Sequence, residues 1–252
     1  MPNLLRGMNP LTRIAIILLI TTPLLLSVDW VSAAVSLSIT LIGAPLCGMG
    51  LTRLLKVSWP LFIIAPISGI SMLLYARPSG EEYFSFWLAT ITDNSLQLAL
   101  AMMLRVLAVA LPVIVLARDI DPTELGDALS QILKLPSRFV IGAVAGVRML
   151  TLFRDDWQAM AQSRRARGLA DRGKIAHTIS MSFGLLVLAL RRGGKLATAM
   201  EARGFGSARK RTWARTSKLC RKDYVVMLIS VVLAAIPVII AVSTDSWRFF
   251  GL

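Results

Sequence analysis

Histidine occurs once in this chain, cysteine twice, and acidic residues half as often as basic ones, 14 against 28. Each shortage removes a kind of chemistry. With His177 alone there is no pair of imidazoles to hold a metal, and a lone histidine is more often a packed or interfacial side chain than a ligand or base. Cys47 lies in an apolar run and Cys220 in a basic one, without metal-ligand spacing, so neither a disulfide nor a zinc site follows. In the basic stretch 118–222 the carboxylates are scattered apart from adjacent Asp155 and Asp156, which form a solvated helix face more simply than a metal or acid–base site. No serine-elbow motif and no Walker B partner is present. Gly168 to Lys174 repeats the first seven positions of the phosphate loop G-x-x-x-x-G-K. However, Ile175 stands where Ser or Thr would hold magnesium, and a helix rather than a strand leads in. No catalytic, cofactor-binding or metal residue is assigned.

What the chain does have is apolar sequence: 56% of its 252 residues are hydrophobic and the mean hydropathy is +0.68, too apolar for a water-soluble globule. It reads as an all-α integral membrane protein. The charge is not spread evenly. Residues 118–222 hold 21 of the 28 Lys and Arg and 8 of the 14 Asp and Glu, so the remainder is almost neutral. A basic block of this kind binds nucleic acid in some proteins, but this one lacks interleaved aromatics or a nucleic-acid motif. In a membrane protein it marks the cytoplasmic side and contact with lipid headgroups.

The charge-free runs predict about five spans. Ile14 to Val28 follows Arg6 and Arg13 like a signal peptide, but no Ala-x-Ala cleavage site comes after it and further spans follow at once. Trp30 to Met49, Val57 to Ala76, Ser95 to Ala117 and Tyr224 to Thr244 are each long enough for a hydrocarbon core of about 30 Å. Prolines at 23, 45, 60, 66, 112 and 237 predict kinks. Arg105 interrupts the fourth span and reads as a charge paired inside the bundle or facing a partner subunit. The positive-inside rule then puts the N-terminus and the 118–222 block inside, and the loop with Glu81 and Glu82 outside. Three regions result: four N-terminal spans in 1–117, a cytoplasmic helical region in 118–222, and the last span with the C-terminus in 223–252.

Within the middle region Asp121-Pro122-Thr123-Glu124 has an N-cap, an N1 proline and an N3 carboxylate in order, predicting a short amphipathic helix that ends near Leu135-Pro136. A longer helix is expected from about Arg138, with Leu150, Phe153, Trp157 and Met160 on one stripe. Gly142 and Gly146 offer it a small face for a close helix crossing or match that pattern by chance. Ile175 to Leu190 is short for a crossing and reads as a helix in the interface or under a partner. Gly193-Gly194 is expected to bend the chain before a short helix from Lys195. The closing cations, Arg209 to Lys222, read as headgroup contacts.

One pattern occurs twice. Ala161 to Leu169 and Ala197 to Phe205 each read Ala, four residues, Ala-Arg-Gly and a large apolar residue, 36 positions apart. The spacing puts Arg167 and Arg203 at helix ends, with Gly168 and Gly204 as stops. An arginine there is favoured by the helix dipole, and its planar fork suits a carboxylate. A single copy would be an ordinary helix cap; the matched pair favours binding to two similar sockets.

These features resemble the transmembrane T component of energy-coupling factor (ECF) transporters, ABC importers of vitamins and transition-metal ions. The likeness covers nearly the whole chain: the N-terminal spans, Asp121 to Leu125 followed by Leu135-Pro136, the Arg148 helix, both Ala-Arg-Gly motifs and the final span. The resemblance implies long amphipathic coupling helices between the fourth and last spans of a bacterial inner-membrane protein. It implies two ABC-type ATPase subunits as partners, touched by Ala166, Arg167, Gly168 and by Ala202, Arg203, Gly204. It also implies a substrate-binding S component, to which Leu150, Phe153, Trp157, Met160, Leu185 and Leu188 are assigned by face. Membrane lipids are further partners; nucleic acid is not. The other readings are a permease subunit of a conventional ABC importer and a membrane-bound lipid-modifying enzyme.

Overall fold

The computed structural model describes residues 4–27, 29–75, 82–86, 89–168, 173–206 and 212–244. It is an all-α membrane protein whose chain divides into two compact units, one of Met1–Asp121 with Lys218–Leu252 and one of Pro122–Ser217.

The first unit contains α1 (Pro10–Leu26), α2 (Trp30–Leu46), α3 (Leu51–Val57), α4 (Leu61–Tyr75), α5 (Asp93–Leu116) and α9 (Arg221–Ser243). The spans start where a side chain satisfies the first free amides. The Asn9 carboxamide accepts from Leu11 N, Asp29 accepts from Ser32 N at 2.6 Å, and Thr92 and Ser95 cap α5 reciprocally. Helices α5 and α9, of 24 and 23 residues, are each long and apolar enough to cross a membrane. The 17 residues of α1 and 15 of α4 span less than a hydrocarbon core of about 30 Å. Here the expected spans shorten. The run from Trp30 stops at Leu46 and bends by 115° into α3, where Pro45, Gly48 (φ 77°) and Gly50 end one helix and begin the next. The run expected from Val57 begins instead at Leu61, after a turn through Trp59 and Pro60. Val28 and Ala76, the expected ends of two spans, lie outside the described residues.

One element has no counterpart in the sequence reading. Glu82–Phe86 (β1) and Ala89–Thr92 (β2) form an antiparallel two-stranded ribbon between α4 and α5, a small addition to a helical fold.

Polar bonds clasp one end of this unit. Leu4 N donates to the Leu46 carbonyl at 3.2 Å, Arg13 donates to the Arg118 carbonyl at 3.1 Å and to that of Leu5, and Asn9 N donates to Asp223 at 3.1 Å. Asp223, 1% exposed, also accepts from Cys220 N at 2.7 Å, so one carboxylate caps α9 and joins it to the start of α1. Arg105, 9% exposed, is inside this unit, and Asp29 at the head of α2 is near enough to act on it electrostatically. Close packing is served by Gly69, where an added Cβ would collide with the Met103 side chain of α5.

The second unit holds α6 (Pro122–Gln131), α7 (Ser137–Ala166) and α8 (Lys174–Ala202). The short helix begins at Pro122 as expected, but it ends at Gln131, earlier than Leu135-Pro136, because Lys134 takes a left-handed turn (φ 54°). The crossing of α6 on α7 uses Gly126, whose missing side chain admits Val144; Gly142 and Gly146 face open space instead. The largest departure is α8. The expected bend at Gly193-Gly194 is absent and the helix runs unbroken for 29 residues. Each glycine in a helix costs about 1 kcal/mol against alanine, too little to break one continued by Leu196, Ala197 and Ala199 on its far side.

Replacing Asp223 with Ala leaves two backbone amides without an acceptor, each worth about 1–3 kcal/mol where buried. A thermal unfolding scan in mild detergent is expected to show an earlier transition, with Asp223→Asn intermediate.

Candidate functional site

The two Ala-Arg-Gly motifs end α7 and α8 in the same way. Ala166 and Ala202 are the last helical residues, Arg167 (φ −92°, ψ 6°) and Arg203 (φ −87°, ψ 9°) are the caps, and Gly168 (φ 68°) and Gly204 (φ 77°) take left-handed turns. Gly168 N donates to Arg165 O at 3.0 Å, and Gly204 N to Glu201 O at 2.9 Å. In the second copy Phe205 N also reaches Met200 O at 2.9 Å, completing the paired-bond helix stop for which glycine is suited. Leu169, the matching residue of the first copy, lies outside the described residues. All six motif residues are exposed. Each arginine is therefore an exposed cation at the negative end of a helix dipole, a position that favours its charge.

Helices α7 and α8 are tied side by side and antiparallel. Arg192 grips Asp156 with two bonds of 2.6 and 3.1 Å, Arg164 donates to the Ser180 hydroxyl and carbonyl at 3.0 and 3.2 Å, and Met160 lies against Gly184. At 1.5 Å per residue α8 is about 44 Å long, and the two arginines belong to opposite ends of it. The second tip is held further: Arg138 donates to Gly206 O at 2.6 Å, and Gln131 spans Arg215 O and Ser217 N at 2.8 and 2.9 Å. The pair thus keeps two identical helix ends apart on a braced frame.

At the first tip a cavity of about 410 Å³ is lined by Met160, Ser163, Arg164, Arg167, Ala176, His177 and Ser180. Two guanidinium groups and the only histidine meet there, which suits an acidic side chain or another anion. Among the described residues no three His, Cys, Asp or Glu gather as a metal site. Of Gly168 to Lys174, the rejected phosphate loop, residues 169–172 lie outside the described ones.

Of the apolar residues singled out by face, Leu150 is 64% exposed, while Phe153, Trp157, Met160, Leu185 and Leu188 are half-buried. The outward stripe of α8 is another one: Ile175, Ile179, Phe183, Leu186 and Leu190, each 53–78% exposed, at steps of 4, 4, 3 and 4. The spacing is visible in the sequence. Which of the helix's two apolar stripes faces α7 is not, because that depends on the Arg192–Asp156 and Arg164–Ser180 bonds.

Apolar helices of spanning length, joined to a charged unit with two matched helix ends, define the class: a multi-pass membrane protein with a separate helical unit. Within that class the chain belongs to the CbiQ family, described as cobalt transport protein, whose model matches residues 1–214. It is similar to the energy-coupling factor transporter transmembrane protein EcfT of Brevibacillus brevis, 24% identical over 93% of this chain and 92% of that one. The EcfT protein of Lactococcus lactis subsp. cremoris is 24% identical over 94% and 93%, and that of Exiguobacterium sibiricum 27% over 71% and 72%. The chain is a transmembrane T component of the energy-coupling factor type, a transport component.

Gly168→Ala and Gly204→Ala each force a Cβ into the left-handed region at roughly 1–2 kcal/mol. Hydrogen exchange is expected to quicken at the amides of residues 168 and 204 respectively, with the middle of α7 and α8 unchanged.

Proposed function

We propose that this chain is the energy-coupling subunit of an ECF-type importer, with Ala166-Arg167-Gly168 and Ala202-Arg203-Gly204 seated in two ABC-type ATPase subunits. The observation that carries the proposal is the shared geometry of the two helix ends: arginine at the cap, glycine turning away, alanine leaving room for an approaching surface. One kind of end repeated at both limits of a rigid pair suits two like sockets. A carboxylate from one ATPase enters the cavity at Arg164 and Arg167, where the guanidinium fork offers two parallel bonds.

The substrate-binding S component rests on the apolar side of α7 and α8. Leu150, Phe153, Trp157, Met160, Leu185 and Leu188 were assigned to that contact, and the outward stripe from Ile175 to Leu190 extends it. ATP binding draws the ATPases together, and the seated ends move with them. The helices tilt, and the S component turns its vitamin or transition-metal ion toward the cytoplasm. The work comes from ATP, and this chain transmits it.

The proposal requires Arg167 and Arg203 on one side of a bacterial inner membrane, with the N-terminus and the helical unit cytoplasmic. Supporting this, α7 carries Arg148, Arg154, Asp155, Asp156, Arg164 and Arg165 and is too charged to cross. Helix α8 is long and apolar enough to cross, yet the Arg192–Asp156 pair and the Arg164 bonds bind it along α7.

Loss of one partner from a desolvated arginine–carboxylate contact costs about 2–5 kcal/mol. Arg167→Ala with Arg203→Ala is therefore expected to abolish uptake and to release the ATPases on purification, while the S component still captures substrate. Full transport by the double variant overturns the proposal. Single cysteines at positions 167 and 203 of a cysteine-free chain are expected to react with impermeant maleimide only after the membrane is opened from the cytoplasmic side. Labelling from opposite sides overturns it as well.

A further inference from the structure

Between α1, α2, α5 and α9 the first unit contains a crevice of about 440 Å³ whose walls are almost entirely apolar. Ile16, Ile20, Ile39, Ile229 and Leu233 line it, and the hydroxyls of Thr40 and Ser230, also in its wall, are turned onto the carbonyls of Ser36 and Met227. An occupant must therefore be hydrocarbon over this length. Along α9 the lining runs from Val225 to Pro237, about 18 Å at 1.5 Å per residue, close to the 15 Å or so of a single leaflet.

One end of the crevice is cationic. Leu4, Leu5, Cys47 and Leu116 line that end, beside the clasp where Arg13 donates to the carbonyls of Leu5 and Arg118. The Arg13 Nε is buried and has no hydrogen-bond partner, and no carboxylate pairs with this guanidinium among the described residues. Arg13 is close enough to Cys47 to act on it electrostatically. Arg6 is exposed at the same end. A half-buried cation without a counterion, at the mouth of a hydrocarbon slot one leaflet deep, is complementary to a molecule with an anionic head and an apolar tail.

We propose that an anionic phospholipid occupies this crevice, one acyl chain between α1, α2, α5 and α9 and its phosphate at Arg13 and Arg6. The chain then fills a space that would otherwise separate α9 from α2, and the headgroup supplies the charge that Arg13 lacks. The site is independent of the ATPase contacts.

The test uses the full chain with whatever subunits accompany it on purification, stripped of lipid and titrated with phosphatidylglycerol or phosphatidylcholine under native mass spectrometry. One tightly held phosphatidylglycerol per chain is expected, with roughly tenfold preference over phosphatidylcholine. Gly43 lies in the crevice wall, and a Cβ added there meets nothing within 4 Å, so Gly43→Leu can start into the slot without a clash at its Cβ and occupy the lipid's space. That variant is expected to lose the bound lipid while keeping its unfolding temperature. Arg6→Gln, which removes no described bond, is expected to lower the preference about threefold. Equal retention of both lipids, or an unchanged lipid count in Gly43→Leu, overturns the proposal.

Discussion

A charged side chain cannot be left in hydrocarbon without a partner, and that cost organises the whole molecule. Between Arg118 and Lys222 the chain holds most of its cations, and those residues fold largely as their own unit of three helices. Outside that block charges are few. Among the described residues Arg105 lies in the middle of a spanning helix, where it is buried within reach of the Asp29 charge, and Asp29 is itself held at the head of α2 by its bond to Ser32. Where helices cannot gain by hiding apolar faces from water, their association depends on close packing and on bonds between polar groups. The clasp of Leu4, Asn9, Arg13 and Asp223, and the close approach of α4 to α5 at Gly69, are this unit's version of both devices.

In the proposed function the helical unit solves a different problem, that of passing force from one place to another. A helix transmits a push only if its ends are firm and its length is braced. The glycine stops after Arg167 and Arg203 satisfy the last carbonyls from within the chain, which leaves the guanidinium groups free for another surface. Bracing comes from Arg192 on Asp156, from Arg164 on Ser180 and, near the second tip, from Arg138 and Gln131. Arg138 and Gln131 are distant in sequence from the second cap they support, whereas Arg164 lies in the last turn before the first.

Much of this was legible before any coordinates. The proline and N3 glutamate at the start of α6, the start of α7 and both glycine stops follow from chemistry within a few residues, and they are where the sequence puts them. The starts and ends of α5 and α9 are within a few residues of expectation, because a long apolar run closed by a cap has few alternatives. The failures have physical reasons too. Gly193 and Gly194 look like a hinge, but a local cost of this size is outweighed when good helix formers continue beyond it. Gly142 and Gly146 look like a crossing point, while the actual crossing falls on Gly126, since which faces meet depends on how α6 leaves α5 and not on local spacing. The β ribbon after α4 has no strong alternating signal and was missed.

By itself, then, the sequence determined that the chain lies in a membrane, where its charge is concentrated, and that two helices end in the same cationic cap, because each of these depends on composition or on residues a turn apart. Only the tertiary structure decided that α8 is a single helix bound along α7, which of its apolar stripes stays outward, and that four helices leave a crevice beside an arginine with no counterion among the described residues. Those depend on side chains dozens to hundreds of positions apart meeting in space, and no local spacing encodes such a meeting.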